Sequence, residues 1–541
     1  MKKKIENLLF ICTIIGMLLI CLSVAGAADR PIRIASGWPA FIDPAVGSDL
    51  TSCKLLVNLY DALVFTDKET GLPVPSIAKS WEVTDKGDQW TFYLNEGIEF
   101  HDGTELTAED VKFSLDRLNT IGEGFAFLFV DRVDSVEVVD KYTVRFHLKV
   151  GIGPFLGMLS RLYIVNKDLV LENIVKPGPY GDMGDYGKEW LNSHDAGSGP
   201  YLVTEYLPQE AATLDLFSNY WQALDPFVPD QMIVYNMTES STIKAMLSRR
   251  ELEIGYHHNS REALDSMDKI EGVDIKRCAQ NGEMYLMLNT RKPPTDDVHF
   301  RKAMAWALDY QTIVDQIWVG VSRSRGPIPK GVPGYDPTVL QYNMDLDKAK
   351  EELAKSKYYN ELDKYPVDVY WLDRVPDEEK IVLLMMSNMD KLGIKINSVK
   401  TPWTKMVEDS GSLETSPNIM TITVNGDFLE AGSLLANRYS SAAAPSWTQN
   451  EWILDPELDA KIDDAIATID QEERLAKYSD IIHYVHEELC PSLCLFDMAL
   501  NIPYQSAYVD WPGGESMSLM GYEFYLPDFR VYPEKRQELL K

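Results

Sequence analysis

Apolar and polar residues alternate along two stretches in the first third of the chain. Trp90, Phe92 and Leu94 occupy every second position of one stretch, and residues 133–148 repeat this period on both sides of a short polar turn. A period of two is typical of half-buried strands. Between the two stretches, Thr107 and Asp110 have the spacing of a helix capping box. The pattern therefore predicts two hairpins joined by a helix.

Farther along, the chain changes to helical spacing and then to an α/β order. Apolar residues recur every three or four positions in residues 297–318, which predicts an amphipathic helix. From Asp347 a helix, a strand at 367–371, a second helix and a strand at 394–399 follow one another. This order indicates parallel strands with helical crossovers. We place a crossing between domains at the strand predicted for 283–289, where the pattern changes.

Length and composition describe a large globular protein. A chain of 541 residues is expected to form two to four domains, and 45% hydrophobic with 25% charged residues are globular values. The 83 acidic and 52 basic residues leave a net charge of −31. Because nucleic-acid binding needs clustered Lys and Arg, we expect no nucleic-acid partner. We attribute the negative charge to a solvated acidic surface.

The first 27 residues have the organisation of an export signal. Lysines at positions 2–4 precede an apolar run at 8–22, and small residues at 25–27 fit a cleavage site. The run is shorter than the roughly 20 residues of a spanning helix. We expect an exported protein, periplasmic or at the outer face of the cytoplasmic membrane. Cleavage is favoured, with an uncleaved N-terminal tether as the alternative.

Four cysteines follow this segment, at Cys53, Cys278, Cys490 and Cys494. They allow three disulfide pairings. Cys490 with Cys494 is the most local pair, and buried free thiols are the alternative. An exported protein can hold disulfides, although a chain of this size does not need them.

Motifs for catalysis or metal binding are absent from the sequence. It has no G-x-S-x-G, no H-E-x-x-H and no phosphate loop. Asp345 and Asp347 imitate a calcium loop, but Lys348 stands where the turn glycine belongs, so we interpret them as helix-capping residues. His483 and His486 share one helix face without further ligands. We therefore expect a protein that is not an enzyme, with no catalytic residues, no bound metal and no cofactor.

Four segments together resemble the family 5 extracellular solute-binding proteins, which are the peptide-, nickel- or oligosaccharide-binding subunits of ABC transporters. In residues 80–117, two strands and a turn precede the sequence FHDGTELTAEDVKFSLDR. Residues 197–221, 297–335 and 378–403 resemble later parts of the family in the same order. The resemblance covers nearly all of the chain after the export signal.

This resemblance implies an α/β, periplasmic-binding-protein-like fold of two lobes. The first lobe would contain an extra inserted domain, and the ligand cleft would lie between the lobes. The implied boundaries are a signal peptide at 1–27, lobe I at 28–55, 196–282 and 501–541, the inserted domain at 56–195, and lobe II at 283–500. Hinge closure would bury the ligand, and a membrane permease would recognise the closed form. We expect a monomer.

Asp427 is the first candidate ligand-binding residue implied by the resemblance. In peptide-binding relatives, a strand at this place ends in an aspartate that pairs with the α-ammonium group of the ligand. A buried ammonium group needs such an anion and hydrogen bonds. The relatives usually have an Asp-Pro pair a few residues later, whereas this chain has residues 430–432 as Glu-Ala-Gly. A turn-capping role for Asp427 is the alternative.

The remaining candidate ligand contacts come from the same resemblance. Trp403, Trp38 and Tyr201 would line the cleft with aromatic rings, which can stack on many solutes. Asn425 lies two positions before the candidate aspartate. His257 follows a strand at a place where the family's chain approaches the cleft, with a surface or core histidine as the alternative.

We predict a substrate-binding protein of an ABC importer that captures a peptide or a similar small polar solute. Binding of a nickel chelate or an oligosaccharide in the same fold is an alternative. A sensory subunit, which presents its closed form to a receptor, is another. A secreted hydrolase is the least favoured alternative.

Overall fold

The computed structural model describes residues 30–38, 41–512 and 519–541. The predicted export signal lies outside the described residues, as do Cys12 and Cys21. Across the ranges given above, no helix is long and apolar enough to cross a membrane.

The strands are β1 (Pro31–Ser36), β2 (Val64–Thr66), β3 (Pro73–Pro75), β4 (Ala78–Val83), β5 (Gln89–Leu94), β6 (Val133–Asp140), β7 (Thr143–Leu148), β8 (Tyr201–Leu207), β9 (Ala211–Leu216), β10 (Gln231–Asn236), β11 (Asp274–Leu288), β12 (Ser322–Arg323), β13 (Val367–Leu372), β14 (Ile396–Thr401), β15 (Ile419–Asn425), β16 (Ser492–Tyr504), β17 (Val509–Asp510) and β18 (Arg530–Val531). The helices are α1 (Leu50–Leu59), α2 (Ala108–Ile121), α3 (Phe155–Leu159), α4 (Lys167–Glu172), α5 (Lys188–Leu191), α6 (Ser240–Ser248), α7 (Arg261–Met267), α8 (Val298–Ala307), α9 (Tyr310–Thr312), α10 (Leu346–Leu353), α11 (Pro376–Asp390), α12 (Trp403–Asp409), α13 (Ala431–Tyr439), α14 (Pro456–Ala467), α15 (Gln471–His483) and α16 (Pro533–Leu539).

The sheet of lobe I has the order β1-β10-β9-β8, with β1 parallel to β10 and the other pairs antiparallel. Ile32 and Ile34 of β1 and Met232 and Val234 of β10 are fully buried in one core. These residues alternate with less buried ones along each strand, as the pleat of a one-sided sheet requires.

A separate antiparallel sheet, β4-β5-β7-β6, falls within residues 56–195. It contains both predicted hairpins, which are confirmed. Phe92 and Phe146 are fully buried in this sheet, with ring centroids 5.5 Å apart in an edge-on arrangement. The capping box predicted at Thr107 and Asp110 is present at the start of α2.

Lobe II contains the six-stranded sheet β12-β16-β11-β15-β13-β14. β13 is parallel to both β14 and β15, so the predicted α/β order is confirmed in this part of the chain. β11 is antiparallel to β15 and β16. Two apolar clusters involve residues of this sheet, and the buried side chains of α8 and α11 belong to one of them, whereas those of α13 and α15 belong to the other.

The two sheets are connected through β11 and β16. The first half of β11 pairs with residues 499–504 and the second half with 492–497, and the register shifts between Ala279 and Glu283. Ile254 bridges both Ile34 of β1 and Tyr504 of β16, which attaches the lobe I sheet to this strand pair. The sequence pattern indicated only the second half of β11, because its first half carries mixed polar residues.

Two apolar runs with helical spacing form shorter helices than their lengths indicate. The run at 53–65 is α1 only as far as Leu59, and Tyr60 is already extended. The run at 297–318 breaks after Ala307, where Asp309 starts α9 by accepting a hydrogen bond from Thr312 N. Side-chain capping of this kind competes with continuation of a helix.

The four cysteines of the described residues are all free and buried. The predicted Cys490–Cys494 disulfide is therefore wrong, and the free-thiol alternative is confirmed. Cys490 adopts a left-handed backbone with φ 46°, and Cys494 lies inside β16 opposite Tyr285. Burial raises the pKa of the Cys53 thiol to about 12, so this group is an inert apolar side chain.

A buried ion pair attaches α2 to the N-terminal part of lobe I. Arg117 Nη1 and Nη2 donate to the two carboxylate oxygens of Asp43 at 2.6 Å each. Arg117 Nε donates to the carbonyl of Tyr186 at 2.8 Å. Both charged side chains are 1% exposed. The bidentate geometry and the third hydrogen bond satisfy the buried guanidinium group.

Arg117→Ala is expected to destabilise the protein by about 3–5 kcal/mol, because it leaves Asp43 buried without its cation. The measurement is the urea midpoint of the tryptophan fluorescence transition. Lys112→Ala is the matched control, since Lys112 makes an exposed pair with Asp116 on the same helix and should cost about 0.5 kcal/mol or less. Equal urea midpoints for the two variants would contradict a stabilising role for the buried Arg117–Asp43 ion pair.

Candidate functional site

The segment from Asn425 to Asp427 is held against the crossing strand β11. Asn281 Nδ2 donates to Gly426 O at 2.7 Å, and Gly426 N donates to Asn281 O at 2.9 Å. Asn425 is opposite Gly282, where any Cβ atom would overlap the Asn425 side chain. Glycine is thus required at 282, and the end of β15 lies directly on the connection between the lobes.

Asp427 follows β15 and is half-buried. Its backbone N–H donates to Ser433 Oγ at 2.7 Å, and Asn437 Nδ2 donates to its Oδ2 at 2.6 Å. Burial raises the pKa of this carboxyl group, and the charges of Arg161 and Arg132 partly oppose the rise. Its carboxylate makes no salt bridge with a side chain of the described residues. It is therefore a partly desolvated anion that can accept a further cationic partner.

A group of aromatic and imidazole rings follows Ile254 in lobe I. The ring centroids of Tyr256 and His257 are 4.6 Å apart, and those of His257 and His258 are 4.1 Å apart. Desolvation and then the charge of Arg374 lower the pKa of His258. Arg374 is an exposed residue between β13 and α11 in lobe II. The charge of Arg374, a residue of lobe II, therefore acts on the ring next to the predicted residue His257.

Lys54 of α1 is a second cation near these rings. It is buried, its Nζ donates to Ser36 Oγ at 3.0 Å, and it lies 4.1 Å from the ring centroid of Phe524. Burial lowers the pKa of Lys54 to about 8. Burial, His258 and Lys54, in that order, lower the pKa of His257 well below its ordinary value. The imidazoles are neutral at pH 7, and the charge of Glu523 partly opposes the fall in the pKa of Lys54.

Sequence reasoning missed Lys54 and Arg374. Lys54 lies within an apolar helix and Arg374 in an exposed loop, and no local pattern distinguishes either from a structural residue. The available signal was a single lysine on a mostly apolar helix, because such a lysine is rarely buried without a reason.

The other predicted site residues lie in different surroundings. Trp403 begins α12, contacts Trp447 at 5.1 Å between ring centroids, and packs on the same apolar cluster as β15. Trp38 packs on Tyr206 of β8, at the opposite edge of the lobe I sheet from β1.

Tyr201 is fully buried and donates its hydroxyl to Pro229 O at 2.6 Å. This burial contradicts the prediction that Tyr201 lines the cleft, since its ring and hydroxyl are both occupied by the core of lobe I.

Most of the chain matches one known protein family. Residues 73–446 match the family described as bacterial extracellular solute-binding proteins, family 5. The chain belongs to this family.

Relatives of known class agree with this family, and a solved structure has the same fold. The chain is 29% identical to the probable D,D-dipeptide-binding periplasmic protein DdpA of Escherichia coli, over 81% of this chain and 83% of the relative. It is 26% identical to heme-binding protein A of Haemophilus influenzae, over 80% of each chain. The fold resembles the ABC transporter substrate-binding protein CtaP of Listeria monocytogenes with a TM-score of 0.80, at 20% identity over 93% and 99% of the two chains.

In this binding protein, two carboxyl groups lie on the connection between the lobes. Glu283 of β11 and Asp497 of β16 are opposite each other. Asp497 accepts hydrogen bonds from Ser324 Oγ at 3.0 Å and from Lys330 N at 3.1 Å. Burial raises the pKa of Asp497 to about 6.

Glu283 is fully buried, and neither carboxylate oxygen has a hydrogen-bond partner among the described residues. Burial and then the charge of Asp497 raise the pKa of Glu283 well above its ordinary value. The charge of Arg438 opposes this rise without cancelling it. Burial and the neighbouring Asp497 therefore favour the protonated form of Glu283 in the folded binding protein.

Glu283→Gln is expected to remove a pH-dependent loss of stability. As pH rises above about 4.3, the unfolded state ionises Glu283 whereas the folded state keeps it protonated, so the wild type loses up to about 1.4 kcal/mol per pH unit. The variant should melt like the wild type at pH 4 and at a higher temperature at pH 7.5, measured by calorimetry. Glu488→Gln, at an exposed position, is the control with no such trend. If the difference in melting temperature between Glu283→Gln and the wild type does not change with pH, Glu283 is not held protonated in the folded state.

Proposed function

We propose that this binding protein captures a small zwitterionic peptide, of two or three residues, between its lobes. It acts as an exported monomer and delivers the peptide to an ABC permease at the membrane. The observation that carries the proposal is the carboxylate of Asp427, which is half-buried, accepts one side-chain hydrogen bond and forms no salt bridge among the described residues. An α-ammonium group would neutralise it and replace its missing hydrogen bonds.

Both lobes supply a cation that could bind an anionic group at the other end of the ligand. Lys54 and the neutral rings of His257 and His258 belong to lobe I, and Arg374 belongs to lobe II. A peptide carboxylate bound between them would favour the closed state, because it would contact both lobes only there. A ligand shifts closure only by this difference in affinity.

The relatives support the same class of ligand and supply the competitor for the test. The Escherichia coli relative is a probable D,D-dipeptide-binding protein, and the Haemophilus influenzae relative binds heme. Heme carries carboxylates but no ammonium group, so Asp427 would have no partner in a heme complex. This difference separates the two candidates chemically.

Calorimetric titration with a small panel tests the proposal. The panel contains L-Ala-L-Ala, D-Ala-D-Ala, L-Ala-L-Ala-L-Ala, N-acetyl-L-Ala-L-Ala, L-Ala-L-Ala amide and heme. We expect binding of at least one free peptide and a large loss of affinity on N-acetylation. Tight binding of heme without any peptide, or equal affinity for free and acetylated peptide, would overturn the proposal.

Asp427→Asn is expected to weaken binding of the free dipeptide by about 2–5 kcal/mol, at least about thirtyfold, because it leaves the ligand ammonium buried without an anion. The unliganded melting temperature should stay close to that of the wild type, since the hydrogen bond with Asn437 is the only side-chain bond of this carboxylate among the described residues. Asp390→Asn, at an exposed helix end in the same lobe, is the matched control. An unchanged dissociation constant would remove Asp427 from the site.

Arg374→Gln is expected to weaken binding of the free dipeptide about tenfold, the roughly 1.4 kcal/mol of a charge-assisted hydrogen bond. Binding of the dipeptide amide should not change, because the amide offers no carboxylate. Lys391→Gln, an exposed cation of the same lobe, is the control. If the free dipeptide and its amide lose affinity equally, Arg374 does not contact the carboxylate.

A further inference from the structure

A contact surface that reaches the edge of the proposed ligand cleft at Asp427 connects the inserted domain with lobe II. We call it the seam and define it by Gly87, Gly153, Gly157 and Arg161 on the inserted domain, and by residues 427–428 and 466–469 on lobe II. We propose that the seam is a latch that forms when the lobes close on a ligand and that positions the segment carrying Asp427. This inference rests on the proposed function.

Gly153 makes a close backbone contact across the seam. Its N–H donates to Ile466 O, in the last turn of α14, at 2.8 Å. A Cβ atom at 153 would overlap the carbonyl oxygen of Thr468 and lie 2.5 Å from Arg474 Nη1. The backbone of Gly153 is not left-handed, so the requirement for glycine comes from these lobe II atoms and not from its conformation.

Two more glycines of the inserted domain face the same part of lobe II. A Cβ atom at Gly87 would overlap the side chain of Ile469, which lies between α14 and α15. At Gly157 a Cβ atom would make an ordinary contact of 3.5 Å with Phe428. Phe428 follows Asp427 directly and is buried in the same core cluster as the inserted domain. The residue next to the proposed ammonium site is thus packed outside lobe II.

Arg161 holds the backbone of Asp427 itself. Its Nε donates to Asp427 O at 3.2 Å, and its Nη1 donates to Met520 O at 3.0 Å. The guanidinium group lies 4.8 Å from the ring centroid of Phe125, and the residue Arg161 is 1% exposed. No carboxylate of the described residues forms a salt bridge with it. Arg161 therefore positions the ligand-binding segment and, by its charge, also lowers the pKa of the Asp427 carboxyl group.

This composition suits a contact that opens. Arg161 donates to neutral carbonyls and forms no salt bridge among the described residues, so opening the seam breaks no ion pair. Gly153 and Arg161 donate hydrogen bonds across the seam, and these bonds belong to no strand pair. Rotation about the irregular stretch between Ala279 and Glu283 would separate the seam while β11 and β16 stay paired on both sides.

Gly153→Ala tests the latch, because the added methyl group meets lobe II only in the closed arrangement. We expect an unliganded melting temperature within about 1 °C of the wild type. We expect at least tenfold weaker binding of L-Ala-L-Ala or D-Ala-D-Ala, whichever binds the wild type more tightly, mainly through faster dissociation. In small-angle scattering at saturating dipeptide, the variant should have a larger radius of gyration than the liganded wild type. Gly157→Ala, a seam glycine with room for a methyl group, should behave like the wild type.

Two results of this experiment would overturn the latch. One is a Gly153→Ala protein that fails to fold, or that loses as much thermal stability without dipeptide as with it, since the seam would then be a permanent part of the scaffold. The other is wild-type affinity and a wild-type radius of gyration in the liganded variant, since the seam would then have no role in closure.

A measurement without ligand separates the latch from the proposed function. In hydrogen exchange of the unliganded wild type, the peptide covering residues 151–158 should exchange at least tenfold faster than the paired amides of β5 and β7. Exchange as slow as that of the sheet would overturn the latch whatever the ligand is. If no peptide of the panel binds the wild type, the proposed function fails, and the exchange result still decides whether the seam opens.

Discussion

The pairing of β11 with β16 is the constraint on which the rest of the structure depends. Both strands belong to the two lobes at once, and their register shifts between Ala279 and Glu283. A continuous ladder would make the two sheets one rigid body, whereas an interrupted ladder keeps them attached and allows rotation. The end of β15 is bonded to Asn281 and packed on Gly282. The candidate ligand segment is thereby placed at the point about which the lobes would turn.

Some buried charged groups of this protein form a salt bridge and others do not. This difference distinguishes the scaffold from the candidate site. Arg117 and Asp43 satisfy each other through two short hydrogen bonds, which is the geometry that a permanent buried pair requires. Asp427 and Arg161 form no such salt bridge among the described residues. Groups of this second kind cost stability when they are buried, and they lie along the lobe connection or between the lobes. Proteins retain such costs at sites that bind or move.

Prediction from the sequence succeeded where local physics decides the outcome. The two hairpins, the capping box at Thr107 and the α/β order after Asp347 are confirmed, because alternation, capping and helical spacing act over a few residues. The stretch 80–117, which carried the family resemblance, supplies scaffold, including Arg117 in the ion pair with Asp43. The long helix predicted at 297–318 was wrong at Asp309, where a side-chain cap overrides the apolar period.

By itself, the sequence determined the family, the α/β class and a candidate aspartate, since these follow from patterns of neighbouring residues. Only the tertiary structure decided that Tyr201 is core, that the thiols of Cys490 and Cys494 stay free, and that the charges of Lys54 and Arg374 act on His257 and His258 from different lobes. Burial and charge proximity depend on residues hundreds of positions apart. Such contacts leave no local trace in the sequence, because their energies arise only after the lobes and the inserted domain have packed together.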